Sequence, residues 1–220
     1  MLESTGSSRK LFCAAIEHIS SLDFPQNWGD LLPELSNALM NSKDLNHRYA
    51  ILASLRSVFH PYRLKPDTEP VLRELAYIME NFGETMFTVF QEYVSLIPQA
   101  LDNGANLYTV LKALKTLVDI YYSLNAVDIP AVFQNHISDY MSAFDNILRF
   151  DSKLEEVAGF PDDEKPAILS KLKASILSSL VLYATRYDAF EPFLGDFAQT
   201  AWGLMSMISL QPSHDIVSLN

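Results

Sequence analysis

Four times along this sequence a proline closely follows an acidic residue, each time where an apolar helical pattern is about to resume. The joints read Asp23-Phe24-Pro25, Asp67-Thr68-Glu69-Pro70, Asp128-Ile129-Pro130 and Glu191-Pro192. Proline suits the start of a helix, because its missing N–H would be unpaired there and its φ is already set. A carboxylate beside it can accept from exposed helix N–H groups and favours the positive end of the helix dipole. The prolines lie 45, 60 and 62 residues apart. The shortest spacing agrees with the roughly 40–47 residues of a HEAT-type repeat; the longer ones require extended helices or inserted loops.

Between the joints the periodicity is helical almost throughout. In 107–125, Leu107, Val110, Leu111, Leu114, Leu117, Val118, Tyr121 and Tyr122 share one face, with Lys112, Lys115 and Asp119 off that stripe. In the fourth pair Ile168, Leu169, Leu172, Ile176, Leu177 and Leu180 repeat the pattern. No stretch alternates as a strand would. The expected fold is all-α: an α-α superhelix of about four antiparallel helix pairs, forming a single array. The pairs span 9–41, 45–100, 105–149 and 165–209, with 210–220 opening a further repeat. Their second helices are expected at 28–41, 69–100 (bending or breaking at Gly83), 131–149 and 192–209. Pro25, Pro70, Pro130 and Pro192 serve as structural joints, with Phe24 and Trp28 completing the first. A compact helical bundle with prolines at some helix starts is the alternative. Trp28 and Trp202 are expected to pack between helices.

Composition narrows the chemistry. With 49% hydrophobic residues the chain can build a core, and a formal charge of −11 disfavours nucleic acid, whose phosphates need clustered Lys and Arg. A basic protein partner fits better. The single cysteine, Cys13, permits no internal disulfide and suits a reducing compartment, cytosolic or nuclear. No apolar run of about 20 residues is evident, so no membrane span is expected. Cys13 and His18 are five residues apart, a poor nucleophile–base spacing on a helix, and Cys13 is expected to be a buried structural residue. Histidines 18, 47, 60, 136 and 214 lack metal-ligand spacing, although His136 and Asp139 share a helix face. Asp162-Asp163-Glu164 lacks the second acidic position of a metal-binding motif, since Lys165 and Pro166 follow, and reads as a solvated loop. No phosphate loop or dinucleotide fingerprint occurs. No catalytic residue, cofactor or metal is expected.

The stretch "FPQNWGDLLPEL" resembles a segment found early in importin-β-type transport receptors, through Phe24, Pro25, Trp28, Leu31, Leu32 and Leu35. "LRSVFHPYR", "YYSLNAVDIPAVF" and "LYATRYDAFEPFLGDFAQTAWGL" are similar to successive repeats of the CAS-type exportin, in the same order. The resemblance runs from about Arg9 to the end; 150–166 matches mainly in character. It implies a nuclear transport receptor that carries importin-α out of the nucleus with Ran-GTP, without enzymatic activity, shuttling between nucleus and cytoplasm. Family members begin about two repeats earlier and continue for many more, which implies a fragment from the amino-terminal region. Ran contacts in the family lie largely on its first three repeats, so this chain alone is expected to bind Ran-GTP weakly or not at all. Cut faces at Met205, Met207, Ile208 and Leu210 are expected to favour self-association. Another importin-β-type receptor, a HEAT-type scaffold and, distantly, an α-helical enzyme are the alternatives.

In the family the concave-side second helices hold Ran in its GTP form, and the superhelix wraps around importin-α. Here Asp30, Glu34, Asn37 and Asn41 recur at i, i+4, i+7 and i+11, and Asn135, Asp139, Ser142 and Asn146 repeat that spacing. Successive members lie within about 40° on a helix. Glu80, Glu84 and Gln91 make a looser stripe. Together they form the candidate partner surface, suited to Lys- and Arg-rich proteins; an ordinary solvated helix face would look the same.

Overall fold

A computed structural model describes residues 6–150, 157–161 and 165–210, with side-chain packing for 11–150, 157–161 and 167–205. The Asp162-Asp163-Glu164 run and the side chains of Met207, Ile208 and Leu210 lie outside it. Ten α-helices are described, and no strand is present among the described residues. They are α1 (Gly6–Asp23), α2 (Leu31–Asn41), α3 (Leu45–Phe59), α4 (Glu69–Ile78), α5 (Glu84–Ala100), α6 (Gly104–Asn125), α7 (Ala131–Asn135), α8 (Ile137–Arg149), α9 (Lys165–Arg186) and α10 (Leu194–Leu210). Turns of 3₁₀ type occupy His60–Leu64 and Asp188–Phe193, and Met79–Gly83 is a π-helical turn between α4 and α5.

The chain is an α-α solenoid. First helices α1, α3, α6 and α9 pack in succession as one layer; α2, α5, α8 and α10 form the other. One hydrophobic core runs through the stack. At its centre Tyr121, Phe133, Tyr140 and Phe144 pack ring on ring, with centroids 4.5–6.1 Å apart. Each such buried side chain contributes roughly 1.5–3 kcal/mol by leaving water.

The proline joints differ in detail. Pro70 sits in the first turn of α4 and Pro130 immediately precedes α7. Pro192 lies inside the 3₁₀ turn that leads into α10. Pro25 follows a cis peptide bond after buried Phe24, and α2 begins only at Leu31 rather than at Trp28. The reason is local: the amides of Asn27 and Trp28 both bond back to Asp23 O, closing a turn that delays the helix. Nor do acidic side chains cap the second helices, for the residues preceding α2, α4 and α7 make no side-chain cap bond. The side-chain caps open first helices instead: Asp44 accepts from Asn46 N on α3, and Asn103 accepts from Asn106 N on α6.

The break foreseen at Gly83 takes the form of the π-turn. A Cβ there would come within 3.2 Å of Val132, so α7 approaches the bare backbone. Three further expectations are corrected. Trp202 is 71% exposed, because α10 turns that face away from α8. Cys13 is only half-buried, its Sγ 4.0 Å from Ala53 O on α3. The stretch Ala167–Arg186, 20 residues of mean hydropathy 1.4, is long and apolar enough to cross a bilayer by length and composition. In the fold it lies against α6 and α8, burying Ile168, Leu172, Ile176 and Tyr183.

Candidate partner surface

Second helices present one flank to solvent because only their opposite flank carries the apolar stripe. On α2, Leu31, Leu32, Ser36 and Leu39 point inward, which leaves Glu34, Asn37 and Asn41 exposed, with Asp30 exposed just before the helix. Asn41 Nδ2 donates to Asn37 Oδ1 (2.6 Å), one turn back. On α8 the buried set is Tyr140, Met141, Ala143, Phe144, Ile147 and Leu148, so Asp139, Ser142 and Asn146 face water.

Two stripes are not continuous as drawn from spacing. His136 (φ −103°, ψ 15°) breaks the helix between Asn135 at the end of α7 and Asp139 on α8, so a regular helical angle does not relate them. Glu80 sits in the π-turn and Glu84 opens α5; the wider turn shifts their register. Both are exposed, whereas Gln91 is half-buried.

What joins the second and third stripes is a residue between them. His136 Nε2 lies 3.4 Å from Glu84 and Nδ1 3.7 Å from Asp139, with the ring stacked on Phe87 at 3.7 Å. Neighbouring second helices are linked elsewhere by polar contacts at two places. Ser36 Oγ donates to Asn81 O (3.2 Å). Arg149 donates to Asp145 and Thr200 (both 2.7 Å), and Thr200 donates to Asp145 (2.7 Å), tying α8 to α10.

The densest polar structure lies in the other layer and was not foreseen. Asp119 on α6 is buried, and it accepts from Arg56 Nε on α3 (2.7 Å), Lys115 Nζ (2.7 Å) and Ser175 Oγ on α9 (3.0 Å), with Arg63 at 3.7 Å. Burial alone would raise its carboxyl pKa; the surrounding cations Lys115, Arg56 and Arg63 outweigh that and hold it below the ordinary value. A second buried group joins α6 to α9. Tyr121 OH donates to Tyr183 OH (2.6 Å), Tyr183 OH donates to Asn125 Oδ1 (2.8 Å), and Asn125 Nδ2 donates to Tyr121 O (2.7 Å). Tyr187 OH donates to Asn125 O (2.6 Å), and Arg186 donates to Ala126 O. Burial raises the hydroxyl pKa values of Tyr121 and Tyr183, so both stay neutral donors. A third link is the bidentate pair of buried Arg48 with Glu92 (2.6 and 2.7 Å). Tyr121, Ser123 and Asn125 of "YYSLN" and Tyr183 of "LYATRYD" are thus buried fasteners between helix pairs, with half-buried Tyr187 and exposed Arg186 at their edge.

A protein-family model described as Cse1 matches residues 58–220. The chain is 27% identical over 215 residues to the importin-alpha re-exporter of Schizosaccharomyces pombe, covering 98% of this chain and 22% of that protein. It is 31% identical over 205 residues to the importin alpha re-exporter of Saccharomyces cerevisiae, covering 92% of this chain and 21% of that protein. With exportin-2 of Homo sapiens the identity is 28% over 221 residues, 100% of this chain and 22% of that protein. Among solved structures, the exportin Cse1 in its cargo-free, cytoplasmic state superposes with a TM-score of 0.82 at 27% identity, over 91% of this chain and 22% of that one. The chain therefore spans about a fifth of the length of these relatives.

Proposed function

The chain belongs to the Cse1 family, and on that premise we propose that it forms one stretch of an exportin solenoid that carries importin-α out of the nucleus together with Ran-GTP. It acts by protein–protein binding and does no covalent chemistry, and the receptor it belongs to shuttles between nucleus and cytoplasm. The observation that carries this reading is the Cse1 family match over 58–220, supported by similarity over 92–98% of the chain to proteins named importin-α re-exporters.

The second-helix flank, with Glu84, Asp139 and their neighbours, is the surface that meets basic segments of a partner. Its charge favours this, since complementary fields steer association and fix register. The 220 residues alone bind Ran-GTP weakly or not at all. Exposed apolar side chains on α1 (Leu11, Phe12, Leu22) and α10 (Leu194, Trp202, Met205) support self-association of the isolated chain.

A graft tests the reading. These 220 residues replace the matching stretch of the Saccharomyces cerevisiae relative, and assembly with importin-α and Ran is followed by pull-down with GTP and with GDP. A GTP-dependent complex that weakens when Glu84 and Asp139 are both changed to Lys is the expected result. A folded graft that forms no complex removes the exportin role; an unaffected double variant removes the proposed surface. Tight nucleotide-dependent binding of Ran by the isolated 220 residues overturns the expectation for the chain alone.

A further inference from the structure

His136 sits where two neighbouring helix pairs meet on the second-helix flank. Its backbone ends α7 and precedes α8, with its N–H donating to Val132 O (3.2 Å) and its carbonyl accepting from Tyr140 N (3.1 Å). Its ring lies flat on Phe87 of α5, 3.7 Å between centroids. Held this way, it turns one nitrogen to each of two carboxylates, Nε2 to Glu84 of α5 (3.4 Å) and Nδ1 to Asp139 of α8 (3.7 Å). A partner can reach both carboxylates, whose side chains are 72% and 60% exposed, whereas the imidazole is 26% exposed.

This geometry separates the two forms of the ring. A neutral imidazole has one N–H and turns a lone pair toward the second carboxylate, while an imidazolium donates from both nitrogens. Only the protonated ring therefore meets both carboxylates favourably. Among the described ion pairs each carboxylate has His136 as its partner, and neither has a lysine or arginine. The other groups on the elements around the ring do not reverse this. Glu80, in the π-turn packed on α7, is exposed and adds negative charge. Tyr140 of α8 is buried, and burial keeps its hydroxyl neutral. The N-terminus of α8 disfavours a cation by about as much as one exposed ion pair favours it, and here two carboxylates act.

We propose that His136 competes, when protonated, with a basic partner for Glu84 and Asp139. The neutral ring leaves both carboxylates to the lysine or arginine side chains of a basic segment; the protonated ring occupies them itself. This role rests on the reading of the flank as a partner surface and adds its regulation. Histidine ordinarily changes charge between about pH 5 and 8, a range in which ordinary carboxylates stay ionised. Partner affinity is thus highest at the alkaline end of that range and falls as the ring gains its proton. By linkage, a bound cation disfavours the proton to the same degree.

The test is fluorescence anisotropy of labelled hexa-arginine with the 220-residue chain at pH 7.5 and 5.5 and constant ionic strength. Native binding is expected to weaken about threefold at the lower pH, the worth of one or two exposed ion pairs. His136→Gln and His136→Asn cannot gain the proton and are expected to lose most of that pH dependence, with circular dichroism confirming that each variant is folded. His136→Lys, a permanent cation, is expected to bind at pH 7.5 about as weakly as the native chain at pH 5.5. The other histidines are the same in every variant, so their contribution cancels. Native binding that does not weaken on acidification overturns the proposal, as does equal pH dependence in the Gln and Asn variants, or no binding at all. Two double variants separate this role from the surface it acts on. Glu84→Lys with Asp139→Lys reverses the pair; Asp67→Lys with Glu69→Lys makes the same charge change about 20 Å away along α4, beyond the screening length. If the first weakens binding more than the second while the His136 variants behave like the native chain, the surface stands and its regulation falls. If the two double variants weaken binding equally, both fall.

Discussion

Replacing Asp119 by Asn preserves the shape of the side chain and removes its charge. In the native chain that carboxylate neutralises Arg56, Lys115 and Arg63 and accepts from Ser175. Breaking a buried ion pair by removing one partner costs about 3–5 kcal/mol. Here the cations can partly recover water, since the Arg56 side chain is 42% exposed and those of Lys115 and Arg63 are 27% exposed. The amide also keeps an acceptor for one donor. The expected loss is therefore about 2–3 kcal/mol. At about 2–4 °C per kcal/mol for a chain of this size, the melting midpoint followed by circular dichroism falls by about 4–12 °C. The pH dependence identifies the cause. Because the folded carboxyl is held below the ordinary aspartate value, its stabilisation is complete above that value and is lost as pH falls through the lower folded value. The gap between native and Asp119→Asn chains in urea melts is thus flat from about pH 7 to pH 5 and narrows only in more acid solution. A variant within about 0.5 kcal/mol of the native chain at pH 7 refutes the reasoning. So does a gap that closes between pH 7 and 5, since a depressed carboxyl does not titrate there.

Other outcomes follow from the same contacts. Tyr183→Phe removes the hydroxyl between Tyr121 and Asn125 and strands buried polar atoms, so urea melts should show a loss of about 1–3 kcal/mol. Gly104→Ala places a Cβ 2.2 Å from Phe160 N and 2.6 Å from Ala158 O, both backbone atoms, and is expected to cost at least about 2 kcal/mol. It should also speed hydrogen exchange of the Gly104 amide, which donates to Ala158 O at 2.9 Å. Gly83→Ala meets only the Val132 side chain, at 3.2 Å, and should change the melting midpoint far less. The paired changes Glu84→Lys and Asp139→Lys on exposed positions should leave that midpoint within about 2 °C while weakening a basic partner in the grafted receptor.

The helical stack was legible because each long helix carries its own stripe. Of the stripe, Leu107, Val110, Leu111, Leu114, Leu117, Val118 and Tyr121 are buried and Tyr122 is half-buried. Asp119 was read as lying off that stripe, yet it is as buried as its neighbours. A single-helix pattern assumes a solvated flank, and α6 has almost none there, being packed on α3, α5 and α9. Its signal was composite: a lone carboxylate on an apolar helix, matched by Arg56 and Arg63 more than fifty residues away. The tyrosine ladder was visible as a motif but not as a contact, since Tyr121 and Tyr183 are 62 positions apart. On the second-helix flank, the positions identified by spacing are exposed except for half-buried Gln91, but spacing could not register the helix break at His136 or the π-turn before Glu84. Trp202 was misjudged because ring size suggests burial, whereas exposure is set by which neighbour a helix face meets.

The uneven fastening of the two layers has a mechanical consequence. Asp119 joins α3, α6 and α9 through charge-assisted bonds, and the tyrosine ladder adds a second set between α6 and α9. The opposite layer has a comparable cluster only at one end, where Arg149, Asp145 and Thr200 tie α8 to α10; its other links are Ser36 to Asn81 and His136 to Glu84. Under load such a stack behaves like a bound book: the spine keeps its length while the leaves fan apart. Flexure is therefore expected on the side carrying Glu34, Glu84 and Asp139, the flank that meets a partner in the reading proposed above.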